Sequence, residues 1–185
     1  MKCLEENVGH MFSSVRPTLF FAYSNKADEK VLTTIREVLT KFREHFELRD
    51  WQEMAETGEI NGQIIREISR CRYGICYFSE EKEDPDGKGK KLTTYADNSN
   101  VLVEAGMLQA LIGGNEREGN WIPIREGTTP APFDLSGQRT INIQREEDGA
   151  FKSTEFEEAF RKMLADLLSV PSVDETNSPE STNDL

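Results

Sequence analysis

Short apolar runs alternate with amphipathic helices along this chain, and that alternation constrains the fold more than any other feature. Thr18-Leu-Phe-Phe-Ala-Tyr23 follows Pro17 and reads as a buried strand. Over residues 28–46, Val31, Leu32, Ile35, Val38, Leu39, Phe42 and Phe46 recur at helical spacing, with Asp28 and Glu29 at the positive end of the helix. A weaker strand is expected from Phe46 to Trp51, then a helix capped by Asn61 that carries Ile64, Ile65 and Ile68. Tyr73-Gly-Ile-Cys-Tyr-Phe78 is the clearest buried strand. Trp121-Ile-Pro-Ile124 and Thr140-Ile-Asn-Ile143 are two more, and Phe151 to Leu168 is a last amphipathic helix. Strands that alternate with helices in this way predict an α/β domain, with a parallel sheet covered on both faces.

Two segments depart from the alternation. The polar stretch from Ser79 to Ser99 shows no periodicity, and a structureless segment of that length in a compact domain is usually functional or disordered. Its Lys88, Lys90 and Lys91 read first as a solvated loop and second as phosphate ligands in a cover over a site. From Val101 to Gly114 every residue is apolar or glycine except Glu104 and Gln109, so a helix over Val101–Ile112, opened by Asn100, is expected to be buried all round. Glu104 is then a lone carboxylate in an apolar setting. It is placed in the first turn, where the helix dipole and free N–H groups favour its ionised form. Helix N-termini lie at the carboxyl ends of the strands in such sheets, so Glu104 is expected to face the ligand crevice. The plain alternative is a first-turn glutamate that only stabilises its own helix.

Composition limits the partners. With 34 acidic against 22 basic residues and a net charge of −12, the chain is poorly suited to nucleic acid. No apolar run approaches the roughly 18 residues that cross a membrane, no signal-peptide core is present, and three cysteines do not make a disulfide framework. A reducing, cytoplasmic setting is expected. Cys71, Cys76, His10 and His45 show no metal-ligand spacing, so no metal site is expected. The expected boundaries are an N-terminal extension over 1–16, one domain over 17–169 and a linker-like or disordered tail over 170–185.

Asn100-Val-Leu-Val-Glu-Ala-Gly106, continuing Met-Leu-Gln-Ala-Leu-Ile-Gly113, resembles the N-V-x-x-E-x-G-x-x-x-G-x-x-G segment of bacterial Toll/interleukin-1 receptor (TIR)-like domains. In order along the chain, Phe20 to Ser24, Asp50-Trp51 with Gly58 to Gly62, Ile68 to Ser79, and Trp121 to Ile124 with Pro132 to Gly137 resemble further segments of the family. Ala105 stands where Leu is usual, and Asn98-Ser99 replaces a common Arg-Asp; neither removes the carboxylate. The resemblance implies a flavodoxin-like five-stranded parallel sheet flanked by helices. It also implies an NAD+ glycohydrolase or ADP-ribosyl cyclase of anti-phage defence, with Glu104 as the catalytic residue. NAD+ is then a substrate, no separate cofactor is needed, and the implied partners are other TIR domains and a sensor or effector protein.

The chemistry suits a single carboxylate. Breaking the ribose–nicotinamide bond develops positive charge on the sugar, which an anion beneath the ring stabilises. Around Glu104 the candidate substrate contacts are Phe21, Tyr23, Ser24, Asn25, Trp51 and Asn100. Phe20 and Phe21 point to opposite faces of their strand, so one or both serve the core. Two other classes stay open: a non-catalytic TIR assembly module, and a nucleoside deoxyribosyltransferase-like N-glycosidase, which also sets a carboxylate at a helix start.

Overall fold

A computed structural model describes residues 16–50, 60–82, 94–112, 120–126 and 139–169. The expected parallel sheet is present. It has five strands in the order β2-β1-β3-β6-β7, namely Glu47–Asp50, Thr18–Tyr23, Tyr73–Tyr77, Trp121–Glu126 and Ile141–Ile143, all parallel. The central strands β1, β3 and β6 are buried along almost their whole length, whereas the edge strands β2 and β7 alternate between buried and exposed positions.

Among the described residues, four helices cover the sheet: α1 (Glu29–Lys41), α2 (Ile60–Arg70), α3 (Ser99–Ile112) and α4 (Ser153–Leu168). Pleating divides the core in two. Leu19, Phe21, Tyr23, Ile75, Tyr77 and Ile124 point toward α1 and α4, while Phe20, Ala22, Cys76, Phe78 and Trp121 point toward α2 and α3. Since β1 has β2 on one side and β3 on the other, the strand order reverses between β1 and β3. This is the point where open α/β sheets form a ligand crevice.

Several boundaries differ from the sequence pattern. Helix α1 starts at the Asp28 cap, whose side chain accepts from the Lys30 N–H at 2.8 Å, and it ends at Lys41 rather than at residue 46. Phe42 and Phe46 are still buried, but as parts of the turn that returns the chain to β2. Helix α2 begins at Ile60, so Asn61 lies inside it and does not cap it. The stretch from Ser79 is not structureless: β4 (Ser79–Lys82) and β5 (Thr94–Asp97) form an antiparallel hairpin, while Lys88, Lys90 and Lys91 lie outside the described residues. The hairpin is fastened to the main sheet where the Glu126 N–H donates to Ser79 Oγ at 2.8 Å.

Helix α3 is not buried all round. Val101, Glu104, Ala105 and Leu108 face the sheet, whereas Val103 and Leu111 are 57% and 50% exposed. The helix sits close to β3 because Gly74 has no side chain. A Cβ there would stand 2.8 Å from both Leu108 methyls and 3.3 Å from Trp121 Cβ. Gly74→Val is therefore expected to push α3 away and cost about 1–3 kcal/mol in urea unfolding. Combined with Leu108→Ala, it should cost less than the sum of the two single changes. Strict additivity would mean that this contact is not what seats the helix.

Candidate functional site

Glu104 lies in the second turn of α3, not the first. The cap is Asn98, whose Oδ1 accepts from the N–H groups of Asn100 and Val101 at 2.9 and 3.1 Å. The shift matters for charge. Six residues beyond its cap, Glu104 is past the free N–H groups and turned toward the sheet, where the residue is 8% exposed. Burial pushes its pKa up to about 7, and no charged or hydrogen-bonding group among the described residues offsets the effect. The environment thus favours the protonated form, the reverse of what a first-turn position implied. Cys76 of β3 is close enough for Glu104 to add to the rise in the thiol pKa that burial causes first. Cys76 stands beside Ala22 of β1 in the sheet, so two small side chains lie near each other on Glu104's face at the reversal between β1 and β3.

Two polar clusters hold the start of α3. In the first, Glu80 Oε2 accepts from Ser24 Oγ at 2.5 Å and from Asn98 Nδ2 at 2.6 Å, and the Lys26 N–H donates to Ser24 Oγ at 3.1 Å. Burial works against ionisation of Glu80, but these bonds and Lys26 hold its carboxyl below the ordinary value. In the second, Arg125 at the end of β6 donates to Asp97 Oδ2 at 2.6 Å, with both side chains largely buried. Burial raises the Asp97 pKa against the pull of Arg125. Across the sheet, Arg145 ties Asp28 at 2.8 Å to Glu126 at 2.7 Å and lies over the Tyr95 ring at 4.2 Å, joining the loops at the same carboxyl edge.

The expected contacts sort by strand parity. Ser24 shares the face of Phe20 and Ala22 and meets the start of α3 through Glu80 and Asn98. Phe21 does not. It is fully buried on the opposite face, in the core under α1 and α4, so a stacking role beside Glu104 gives way to a core role. Tyr23 lies on that opposite face as well. Its hydroxyl donates to Asp50 at 2.7 Å and accepts from Arg36 at 2.7 Å, and burial first, then Asp50, raises its pKa. Asn25 is exposed in the turn after β1, and Asn100 is exposed in the first turn of α3. Trp51 lies outside the described residues.

Sequence reasoning missed Glu80, Asp97 and Arg125 and noted Asn98 only as a departure from a motif. Asn98 was legible as a helix cap, and Arg125 as a cation that ends an apolar strand at the ligand edge. Nothing distinguishes Glu80 from its neighbours in a run of charges. A cavity of about 270 Å³ lined by Arg36, Arg43, Phe46, Leu48 and Asp50 opens beside β2 on the α1 side. It is separate from Glu104, and its Arg36 is already engaged by Tyr23 and Asp50. Among the described residues no cluster of side chains could hold a metal ion, and no helix is long and apolar enough to cross a membrane.

Residues 18–145 match the family model described as CAP12/Pycsar effector protein, TIR domain. No curated protein matches the chain.

The raised pKa makes stability depend on pH. Between the ordinary carboxyl value of 4.5 and about 7, the folded state keeps a proton that the unfolded chain has released, so stability falls as pH rises through that window. Glu104→Gln removes the group that ionises. It is expected to match wild type below pH 4.5 and to be more stable by on the order of 2 kcal/mol at pH 8. Urea unfolding at the two pH values measures the difference, and equal stability at pH 8 would contradict the raised pKa.

Proposed function

This chain belongs to the CAP12/Pycsar effector TIR-domain family of bacterial defence, and from that premise we propose that it cleaves NAD+ at the ribose–nicotinamide bond, with Glu104 as its catalytic carboxylate. The observation that carries the proposal is Glu104 itself: a carboxylate turned toward the sheet, without a counter-charge among the described residues, over the strands where the sheet reverses order. A buried, unpaired carboxylate costs stability, and groups of that kind concentrate at functional sites.

NAD+ supplies the missing charge. Its nicotinamide ring is cationic, and as the glycosidic bond stretches, positive charge moves onto the ribose, beside which the Glu104 anion stabilises it. Nicotinamide leaves as a neutral molecule, so no second acid is required. Water then adds to the ribose carbon and releases a proton, giving ADP-ribose; capture by a nucleophile within the ADP-ribosyl group gives a cyclic product instead. Ser24, at the exit of β1, and Asn100, in the first turn of α3, lie at the same end of the sheet, and we assign them, with Asn25 and Trp51, to substrate contact.

Incubation with NAD+ and analysis of products by mass spectrometry tests this. Glu104→Gln is expected to lower turnover at least about a hundredfold, the scale for loss of one group that stabilises transition-state charge, while the protein stays folded. A folded variant with near-wild-type turnover sinks the assignment. Release of free base from deoxynucleosides under the same conditions, with NAD+ untouched, would instead support the N-glycosidase alternative.

Activity should also follow the ionisation of Glu104. Since the anion is the working form, kcat/KM is expected to rise with pH, level off above about 7, and fall roughly tenfold per unit well below it. A profile without that limb between pH 5.5 and 8.5 would show that Glu104 is not titrating in the free enzyme. We further propose that self-association through TIR–TIR contacts completes the site. Specific activity should then rise with protein concentration, and a flat profile would mark the single chain as already competent.

A further inference from the structure

We propose that Glu80 is a positioning residue for Glu104: by holding Asn98 against Ser24 it fixes the N-terminal end of α3, and with it the seat of the Glu104 side chain on the sheet. The proposal rests on Glu104 being the carboxylate of the site.

Three elements converge on one oxygen. Glu80 Oε2, on β4, accepts from Ser24 Oγ at the exit of β1 and from Asn98 Nδ2 at the start of α3, at 2.5 and 2.6 Å. Asn98 uses both ends of its amide. Its Nδ2 also reaches Ser24 Oγ at 3.3 Å, while its Oδ1 caps the helix through the N–H groups of Asn100 and Val101. Without Glu80 the Nδ2 group keeps only the longer contact to Ser24 Oγ, so the amide, and the cap with it, is held less firmly. With Glu80 in place only one orientation satisfies every donor.

The consequence passes along the helix by geometry. Val101, whose N–H is capped, is also the first residue of the sheet-facing stripe that continues through Glu104, Ala105 and Leu108. Rotation or fraying of the first turn therefore changes how deeply Glu104 is buried. A second polar fastening, from Trp121 Nε1 to Gln109 Oε1 at 2.9 Å, holds the helix beyond Glu104. Among the described residues, the groups packed on Glu104's side are Ala22 from β1, Cys76 from β3 and the apolar stripe of α2 that includes Ile64 and Ile68, of which Cys76 is titratable. Since burial alone sets the Glu104 titration, the seat of α3 is what controls it.

The test does not depend on NAD+ cleavage. The stability difference between a chain with Glu104 and its Glu104→Gln counterpart, measured by urea unfolding from pH 4 to 9, reports the titration of Glu104 in the folded state. It is compared in the otherwise wild-type chain and with Glu80→Ala, Glu80→Gln or Asn98→Asp. In the wild-type background the gap in favour of Gln should open between pH 4.5 and about 7. Glu80→Ala should shrink the gap at pH 8 at least twofold and move its midpoint down by roughly one pH unit as Glu104 gains water. Glu80→Gln, whose amide oxygen still accepts, should restore most of it. Asn98→Asp keeps a helix cap but cannot donate to Glu80, so it should behave like Glu80→Ala and separates positioning from capping even if Glu80→Ala fails to fold.

An unchanged gap in Glu80→Ala and Asn98→Asp overturns the proposal, as does a gap independent of pH in the wild-type background. If the gap responds as expected while NAD+ stays intact, the positioning role stands and the assigned reaction falls. If NAD+ is cleaved, the acid limb of kcat/KM should move to lower pH in Glu80→Ala by the same shift.

Discussion

Helix α3 lies close enough to β3 that Leu108 fills the space where a side chain at Gly74 would be. Much of the setting of Glu104 follows from that contact. A helix seated this deeply must turn one stripe fully into the sheet, and the stripe includes Glu104 as well as Val101, Ala105 and Leu108. Tight packing therefore strips a carboxylate of water with no counter-ion among the described residues, and burial raises its pKa. The opposing floor is made partly of small side chains, Ala22 and Cys76, and the helix crosses where the order of the sheet reverses. The burial of Glu104 and its place over the reversal of the sheet both follow from how this helix packs.

One set of polar groups is organised around that helix and the loops beside it. Asn98 and Glu80 fasten its start to β1 and β4, Asp97 and Arg125 fasten it to β6, and Arg145 gathers the loops across the carboxyl edge. Each of these groups is partly or fully buried and paired. Glu104 is buried too but has no partner among the described residues, and that contrast marks it out more clearly than its position in a motif. A structural carboxylate in this setting has partners, whereas one that must meet a cationic substrate is better placed without them. The exposed Val103 and Leu111 on the outer side of the same helix show that burial here is directional.

Much of the architecture was legible before any coordinates. Strand and helix order, the parallel sheet and the amphipathic stripe of α1 follow from apolar spacing, because a sheet buried on both faces needs continuous apolar strands and its covering helices need one apolar side. The unusual setting of Glu104 was legible too, as the one carboxylate in an apolar run. Boundaries were less so: α1 stops at Lys41 although apolar spacing continues to Phe46, since the chain must turn back to enter β2. The β4–β5 hairpin was invisible because its strands are short and polar, and what holds them is pairing with each other and with Glu126.

The sequence by itself determined the fold class and which carboxylate to watch, since both depend on local composition and period. Only the tertiary structure decided how that carboxylate behaves. The cap moved from Asn100 to Asn98, which carried Glu104 out of the helix's positive end and into the sheet, and so turned an expected low pKa into a raised one. Strand parity put Phe21 and Tyr23 on the face away from Glu104 and left Ser24 on the near one. Glu80 joined Ser24 and Asn98 across 56 and 18 residues of chain, a separation over which no local pattern carries information. Which side of a sheet a residue faces, and what distant group it meets there, is settled by packing between elements, and that is a property of the folded chain alone.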